Sequence, residues 1–306
     1  MGRIAIFTDD PGWHGARLRE AFALRGYNSD YISLTQCRIF IDRGYLPIII
    51  PGFEHSLPDG VFVRGVPGGS LEEVVHYLDI LHALKRMGIS VYNSGSAIER
   101  SVDKAMTSFI LHNAGIPTPP TWVTPLKDEA IEITKKELSA GNQLVSKPVF
   151  GSQGLGLQRV SRLDQLDLLE PTNGMYYLQR FVDCGNESFH DWRVFVINGQ
   201  ARSAMRRWGT GWLNNVAQGG RCERVILDSC LRQLSEDAVS ALEMDYGGVD
   251  IIRDKHGNYS VIEVNSVPAW KGLQSVCRIN VAELLAEDFL SNCPLCNERG
   301  TALSWQ

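Results

Sequence analysis

The chain has 306 residues, 44% of them hydrophobic and 21% charged, with 30 Lys and Arg against 35 Asp and Glu for a formal charge of −5. That length buries a sizeable core, which excludes a disordered tail or a disulfide-stapled miniprotein, and the acidic balance excludes a general nucleic-acid binder. The sequence has no apolar run of about 18 residues, the length a membrane span needs, so no membrane association is expected. Met1 to Phe7 runs straight into Asp9 and Asp10, so a cytoplasmic protein without a targeting segment is expected. Seven cysteines are scattered except for the Cys293-x-x-Cys296 pair, which lacks the second ligand pair of a structural zinc site, so reduced thiols are expected.

Arg3 to Thr8 reads as the first strand, Asp10 to Gly15 as a loop at its carboxyl end, and Ala16 to Arg25 as a helix closed by Gly26. Tyr27 to Leu34 and Val61 to Val63 are further strands. Ser70 to Met87 is an amphipathic helix with a capping box from Ser70 and Glu73 and a stop at Gly88. This alternation predicts βαβ units around a mainly parallel sheet. A helix from Asp103 to Gly115 precedes a hinge, Ile116-Pro117-Thr118-Pro119-Pro120, and a small α/β region follows to about residue 182. Asn198-Gly199 and His256-Gly257-Asn258 predict two β-hairpins, giving the last part an α+β character. Three segments are expected: 1–102, 103–182 and 183–306.

Three local patterns carry chemistry. Lys147-Pro148-Val149-Phe150-Gly151-Ser152-Gln153-Gly154-Leu155-Gly156 places a lysine before a three-glycine loop, which suits either a phosphate cradle or an ordinary turn. Period-two alternation puts Glu263 and Asn265 on the same face of one hairpin strand, and Asp250 on the partner strand can face them. That all-oxygen trio suits Mg²⁺, or else the solvated side of a sheet. Arg193 and Arg206 fall on adjacent predicted strands, where they could clamp a phosphate or carboxylate or form a solvated basic face. No sequence of a serine or zinc hydrolase is present.

Taken together, Asp103-Lys104, Lys147-Pro148 with its glycine loop, Gln179-Arg180-Phe181-Val182, Asp191-Trp192-Arg193, Asn214 with Gly219-Gly220, Gly248-Val249-Asp250 and Glu263-Val264-Asn265-Ser266 resemble the ATP-grasp superfamily, and most closely its RimK-like carboxylate-amine ligases. The resemblance runs from about Arg64 to Trp270. It implies an α/β ATP-grasp fold behind a parallel-sheet pre-ATP-grasp domain, and an ATP-dependent ligase that makes an amide through an acylphosphate.

By the same resemblance, Lys104 and Lys147 would hold the ATP phosphates under the loop of Gly151, Ser152, Gln153, Gly154 and Gly156. Gln179, Arg180, Phe181 and Val182 would form the adenine hinge, with Glu187 at the ribose. Asp250, Glu263 and Asn265 would hold two Mg²⁺ ions, with Mn²⁺ as a substitute. Arg193, Arg206 and Asn214 would face the γ-phosphate and acyl group. Arg64, Trp13, His14, Arg207, Gly220 and Ser266 would contact the substrates. The abundance of arginine, with Lys271, favours L-glutamate as the amine. The stretch around Trp13 and His14 is similar to ligases of the tetrahydromethanopterin and methylofuran pathways, implying an acidic coenzyme as acceptor. The alternatives are a protein C-terminal carboxylate as acceptor or a nucleotide-binding module without turnover. Family habit implies a homodimer or homotetramer. Arg180, where the family carries an acidic residue, and Pro268-Ala269-Trp270, in place of Pro-Gly, depart from the pattern.

Overall fold

A computed structural model describes residues 2–42, 46–151, 155–185, 189–209, 211–212 and 221–296. The chain forms two compact units, one of Met1–Ile98, Met244–Gly247 and Ser266–Gln306, the other of Glu99–Glu243 and Gly248–Asn265.

The first unit begins with β1 (Gly2–Phe7), α1 (Gly12–Ala23) and β2 (Tyr27–Ile32). Helix α1 starts four residues earlier than the sequence pattern suggested. Pro11 already has helical angles, φ −62° and ψ −41°, and its carbonyl accepts from Gly15 N at 2.5 Å. Trp13 and His14 therefore sit on the first helical turn, not in a loop. Strand β2 ends two residues early, because the Ser33 side chain caps a 3₁₀ turn over Leu34–Gln36. A short pair follows, β3 (Arg38–Ile39) with β4 (Ile48–Ile49), then β5 (Gly60–Val63), α2 (Leu71–Arg86), β6 (Ser90–Tyr92) and α3 (Gly95–Val102), the last running on into the second unit. Helix α2 carries the expected Ser70/Glu73 capping box. Strands β2, β1, β5 and β6 form a parallel sheet in that order. Its core includes Ala5, Phe7, Val61, Val63, Ile80, Leu81 and Leu84, all fully buried, each apolar side chain of Leu size contributing about 1.5–3 kcal/mol.

The second unit starts with α4 (Lys104–Asn113), whose N-cap is Asp103: one carboxylate oxygen accepts from Ala105 N at 2.9 Å and Met106 N at 3.0 Å. Strand β7 (Thr121–Thr124), α5 (Lys127–Ser139), β8 (Leu144–Lys147), β9 (Gln158–Val160) and β10 (Tyr176–Arg180) follow, and the four strands pair antiparallel in the order β7-β10-β8-β9. Then come β11 (His190–Ile197), β12 (Gln200–Trp208), β13 (Arg221–Val225), α6 (Ser229–Ala241), β14 (Tyr246–Arg253) and β15 (Tyr259–Asn265). They make a five-stranded sheet ordered β13-β12-β11-β14-β15. Both predicted hairpins form. Asn198 (φ 50°) and Gly199 (φ 64°) are both left-handed, as a two-residue type I′ turn requires.

The chain returns to the first unit with α7 (Lys271–Gln274) and α8 (Val281–Ser291). Phe289 of α8 packs edge-on to Phe22 and Phe62. Beyond α8, Cys293 and Cys296 are buried. The Cys293 thiol donates to Asp59 O at 3.2 Å, and Tyr27 OH donates to Cys296 O at 2.8 Å. All seven cysteines are free thiols. Among the described residues, no helix is long and apolar enough to cross a membrane.

Candidate functional site

Two lysines approach the start of the glycine loop. Lys147 ends β8, half-buried, and donates to Gln179 Oε1 at 2.7 Å; burial pushes its ammonium down to about 8, against the attraction of Glu263. Lys104 opens α4 and donates to Gly151 O at 2.6 Å, tying that helix to the loop, and burial lowers its pKa as well. Gly151 (φ 154°) and Gly156 (φ 75°) hold conformations that disfavour a side chain, and a Cβ on Gly156 would lie 2.9 Å from Pro148 Cγ.

The hinge side chains have defined partners. Gln179 is buried and spans Lys147, Thr121 and the Tyr177 hydroxyl, so its amide orients the lysine. Arg180 makes a bidentate pair with Glu137 of α5, at 2.8 and 3.0 Å, and that guanidinium holds the Glu137 carboxyl below its ordinary range. The arginine that departs from the family pattern is therefore matched by an acid 43 residues away. Phe181 lies under the Arg159 guanidinium, 3.8 Å from it. The backbone N–H groups of Arg180 and Phe181 donate to Pro120 O and Gln143 O. Val182 follows at the end of this segment.

The five-stranded sheet sorts its residues by face. Asp191 stands opposite Arg207 and Arg193 opposite Met205, so Asp191, Arg193 and Arg207 share one face with Asp250 of β14. Arg193 grips Asp250 bidentately, Nε to Oδ1 and Nη2 to Oδ2, both at 2.7 Å. Arg207 grips Asp191 at 2.6 and 2.8 Å and reaches Asp250 Oδ2 at 2.9 Å. These arginines hold Asp250 below the carboxylate range in spite of burial, whereas burial, with Asp250 nearby, raises Asp191.

Arg206 stands opposite Trp192 and therefore faces the other way. Its guanidinium lies 5.4 Å from the Trp192 ring centroid and 5.3 Å from that of Trp208. The clamp expected of Arg193 with Arg206 does not form, because strand alternation puts the two on opposite faces. Arg207 is Arg193's neighbour instead. Asp191 belongs to a motif that the sequence singles out but carries no assigned role there, although its period-two spacing from Arg193 is a signal for one; Glu137 has no local signal.

Glu263 lies in register with Asp250, and Asn265 follows on the same face, its amide nitrogen 3.4 Å from Gly248 O. Among the described residues, the Glu263 side chain makes no hydrogen bond, and no group of three or more His, Cys, Asp or Glu is placed to hold a metal. Two carboxylates and an amide oxygen nevertheless fit Mg²⁺, which takes a few protein oxygens and completes its shell with water and phosphate.

In the first unit, His14 Nε2 accepts from the backbone N–H of Trp270 at 3.1 Å and of Lys271 at 3.2 Å, and its ring meets Trp270 edge-on at 4.6 Å and Trp13 at 5.2 Å. Burial, then the charges of Arg64 and Lys271, push His14 down to about 4, so it is neutral with its proton on Nδ1. Arg64 donates to Pro268 O at 3.2 Å and lies 4.6 Å over the Trp270 ring. Ser266 is buried, and its carbonyl accepts from Asn93 Nδ2 at 2.8 Å. Of the sequence-predicted site residues, Ser152, Gln153, Gly154, Glu187, Asn214 and Gly220 lie outside the described residues.

Residues 101–289 match the RimK-like ATP-grasp domain and residues 2–98 the RimK pre-ATP-grasp domain. The chain belongs to the RimK-like ATP-grasp ligases. It is similar to a tetrahydromethanopterin:alpha-L-glutamate ligase of Methanococcus maripaludis, at 33% identity over 75% of this chain and 78% of that one. It is also similar to an alpha-aminoadipate–LysW ligase of Saccharolobus solfataricus, at 32% identity over 67% and 75%. The solved ATP-grasp ligase PsnB, complexed with minimal precursor, Mg and ADP, shares the fold with a TM-score of 0.72 at 18% identity, over 96% of this chain and 98% of that one. The RimK-like chain is thus an ATP-dependent, amide-forming ligase, as its motifs implied.

Proposed function

We propose that this RimK-like ligase is a cytoplasmic enzyme that adds L-glutamate to an acidic coenzyme-like acceptor of the tetrahydromethanopterin or methylofuran type. The similarity to the tetrahydromethanopterin:alpha-L-glutamate ligases of three archaea carries this reading. The aromatic group Trp13, His14 and Trp270 with Arg64 supports it, since rings and cations together suit an aromatic acid. When bound, ATP would supply the γ-phosphoryl group that activates the acceptor carboxylate, with ADP leaving and phosphate then displaced by the amine, and Mg²⁺ would offset the charge on the phosphate oxygens.

The rest falls to this chain's own residues. Lys147 and Lys104 hold the phosphates, with Gln179 fixing the direction of Lys147. Gly151 and Gly156 let the loop between them close, which excludes water that would hydrolyse the activated acid. The backbone at Phe181 and Val182 takes the adenine. Asp250, Glu263 and Asn265 hold two divalent ions, Mg²⁺ or Mn²⁺, and Arg193 neutralises charge that builds on the transferring oxygens. Residues 103–182 act as the lid, and the enzyme works as a homodimer or homotetramer.

The test is ADP and phosphate release from Mg-ATP with L-glutamate, across a panel of acidic coenzymes and carboxylate-tailed peptides, with mass spectrometry of each acceptor. A glutamyl mass gain on a pterin or furan coenzyme is expected. A gain on peptides alone would favour the second reading, a protein C-terminal acceptor, which the likeness to the alpha-aminoadipate–LysW ligase supports. Silence with every acceptor would sink both.

A further inference from the structure

Asp250 faces more positive charge than one carboxylate balances. Arg193 takes both of its oxygens and Arg207 adds a second contact to Oδ2. A carboxylate offers about four lone-pair directions, and three are used here. Glu263 lies directly across the β14/β15 pair. A cation shared between these two carboxylates would meet the Arg193 guanidinium at the same oxygens, where like charges repel strongly.

The two arginines are not equivalent. Arg207 is gripped by a second carboxylate, Asp191, and both of those side chains are 7% exposed. Arg193 is 14% exposed and has Asp250 as its one ion-pair partner among the described residues. Removing Arg193 from Asp250 leaves a more exposed guanidinium that can find new anionic partners. Removing Arg207 would strand buried charge on both sides.

We infer that the Asp250 carboxylate is an exchange point, with Arg193 and a divalent cation as alternative partners, while Arg207, locked by Asp191, stays and fixes the carboxylate plane for either. Cation loading then releases Arg193 toward the anionic groups of the substrates. The inference rests on the assignment of Asp250 as a metal ligand. It makes Arg207 and Asp191 positioning residues, which act through Asp250, and takes Arg207 out of direct substrate contact.

The test titrates Mn²⁺ into full-length protein saturated with ADP and reads free ion by electron paramagnetic resonance, without turnover. Arg193→Ala removes the competitor, so it binds Mn²⁺ about tenfold more tightly than the parent although its turnover is lost. Asp191→Asn leaves Arg207 to lean on Asp250 alone and weakens Mn²⁺ binding about fivefold. A merely structural role for Asp191 would lower the melting temperature without moving that dissociation constant. Arg193→Gln makes the same charge change with more of the shape kept, and replaces the alanine variant if circular dichroism finds that one unfolded. Unchanged or weaker Mn²⁺ binding in the folded Arg193 variant overturns the exchange. Absence of Mn²⁺ binding in both parent and Arg193 variants overturns the metal assignment itself, and the exchange with it.

Discussion

Arg206 and Arg207 are neighbours in sequence, yet the two faces of the five-stranded sheet give them opposite surroundings. On one face Arg207 joins Asp191, Arg193 and Asp250 in a buried network of charge-assisted hydrogen bonds. On the other, Arg206 lies among Trp192 and Trp208, with Arg253 over Trp192 and Tyr259 nearby. The same residue type is therefore held by carboxylates on one side and by ring quadrupoles on the other. One side fixes the direction of a carboxylate, and the other packs against rings.

The sharpest way to break this contrast is Asp250→Ala, for which turnover should vanish. Because Asp250 also pairs with two arginines, the variant should be less stable by about 3–5 kcal/mol, read by urea unfolding. An unchanged unfolding midpoint would mean that the network is not built as described. Next, Arg207→Ala should cost about 3–5 kcal/mol, against about 1 kcal/mol for Arg206→Ala, whose cation–ring contacts are weaker. Equal losses would erase the difference between the faces.

A smaller effect comes from Lys147. With its ammonium held down to about 8, ATP affinity should fall as pH rises through that value, because the neutral amine no longer attracts phosphate. Over the same interval the unfolded chain binds more protons at this residue, so Lys147 makes stability rise from about 8 toward the ordinary lysine value. Calorimetric ATP titrations should show Lys147→Met already weak at neutral pH and without that dependence; a parallel decline in both proteins would remove Lys147 from the phosphates. The smallest effect is at His14, held down to about 4 in the folded protein and free to protonate at its ordinary value when unfolded. Its contribution is present above the ordinary histidine range and is lost as pH falls toward 4. His14→Gln should flatten that part of the stability curve, and an unaltered curve would contradict the burial of a neutral ring.

Much of this was legible beforehand because it is local. The capping box at Ser70, the Asn198-Gly199 turn and the shared face of Glu263 and Asn265 each follow from a few adjacent residues or from strand alternation, whereas Asp250 comes opposite Glu263 only through a register shift between Asp250 and Ile251. The start of α1 was missed because Pro11 reads as a loop residue although its fixed φ suits a helix. The Arg180–Glu137 pair was invisible because it joins a strand to a helix through tertiary packing alone. Pairing Arg193 with Arg206 instead of Arg207 came from naming adjacent strands without fixing their register, and a one-residue slip exchanges the faces.

The two cysteines after α8 give the first unit a built-in clock. Hydrogen bonds from Cys296, its thiol foremost, hold Cys293 down to about 7, whereas burial raises Cys37, Cys222 and Cys230. The lowered value favours the thiolate, the form that alkylating reagents attack, once the thiol leaves its Asp59 acceptor. Its burial against Asp59 shields that reactive sulfur. The rate at which a maleimide labels Cys293, followed by peptide mass spectrometry, therefore counts the openings of the α8 terminus from the strand that begins at Gly60.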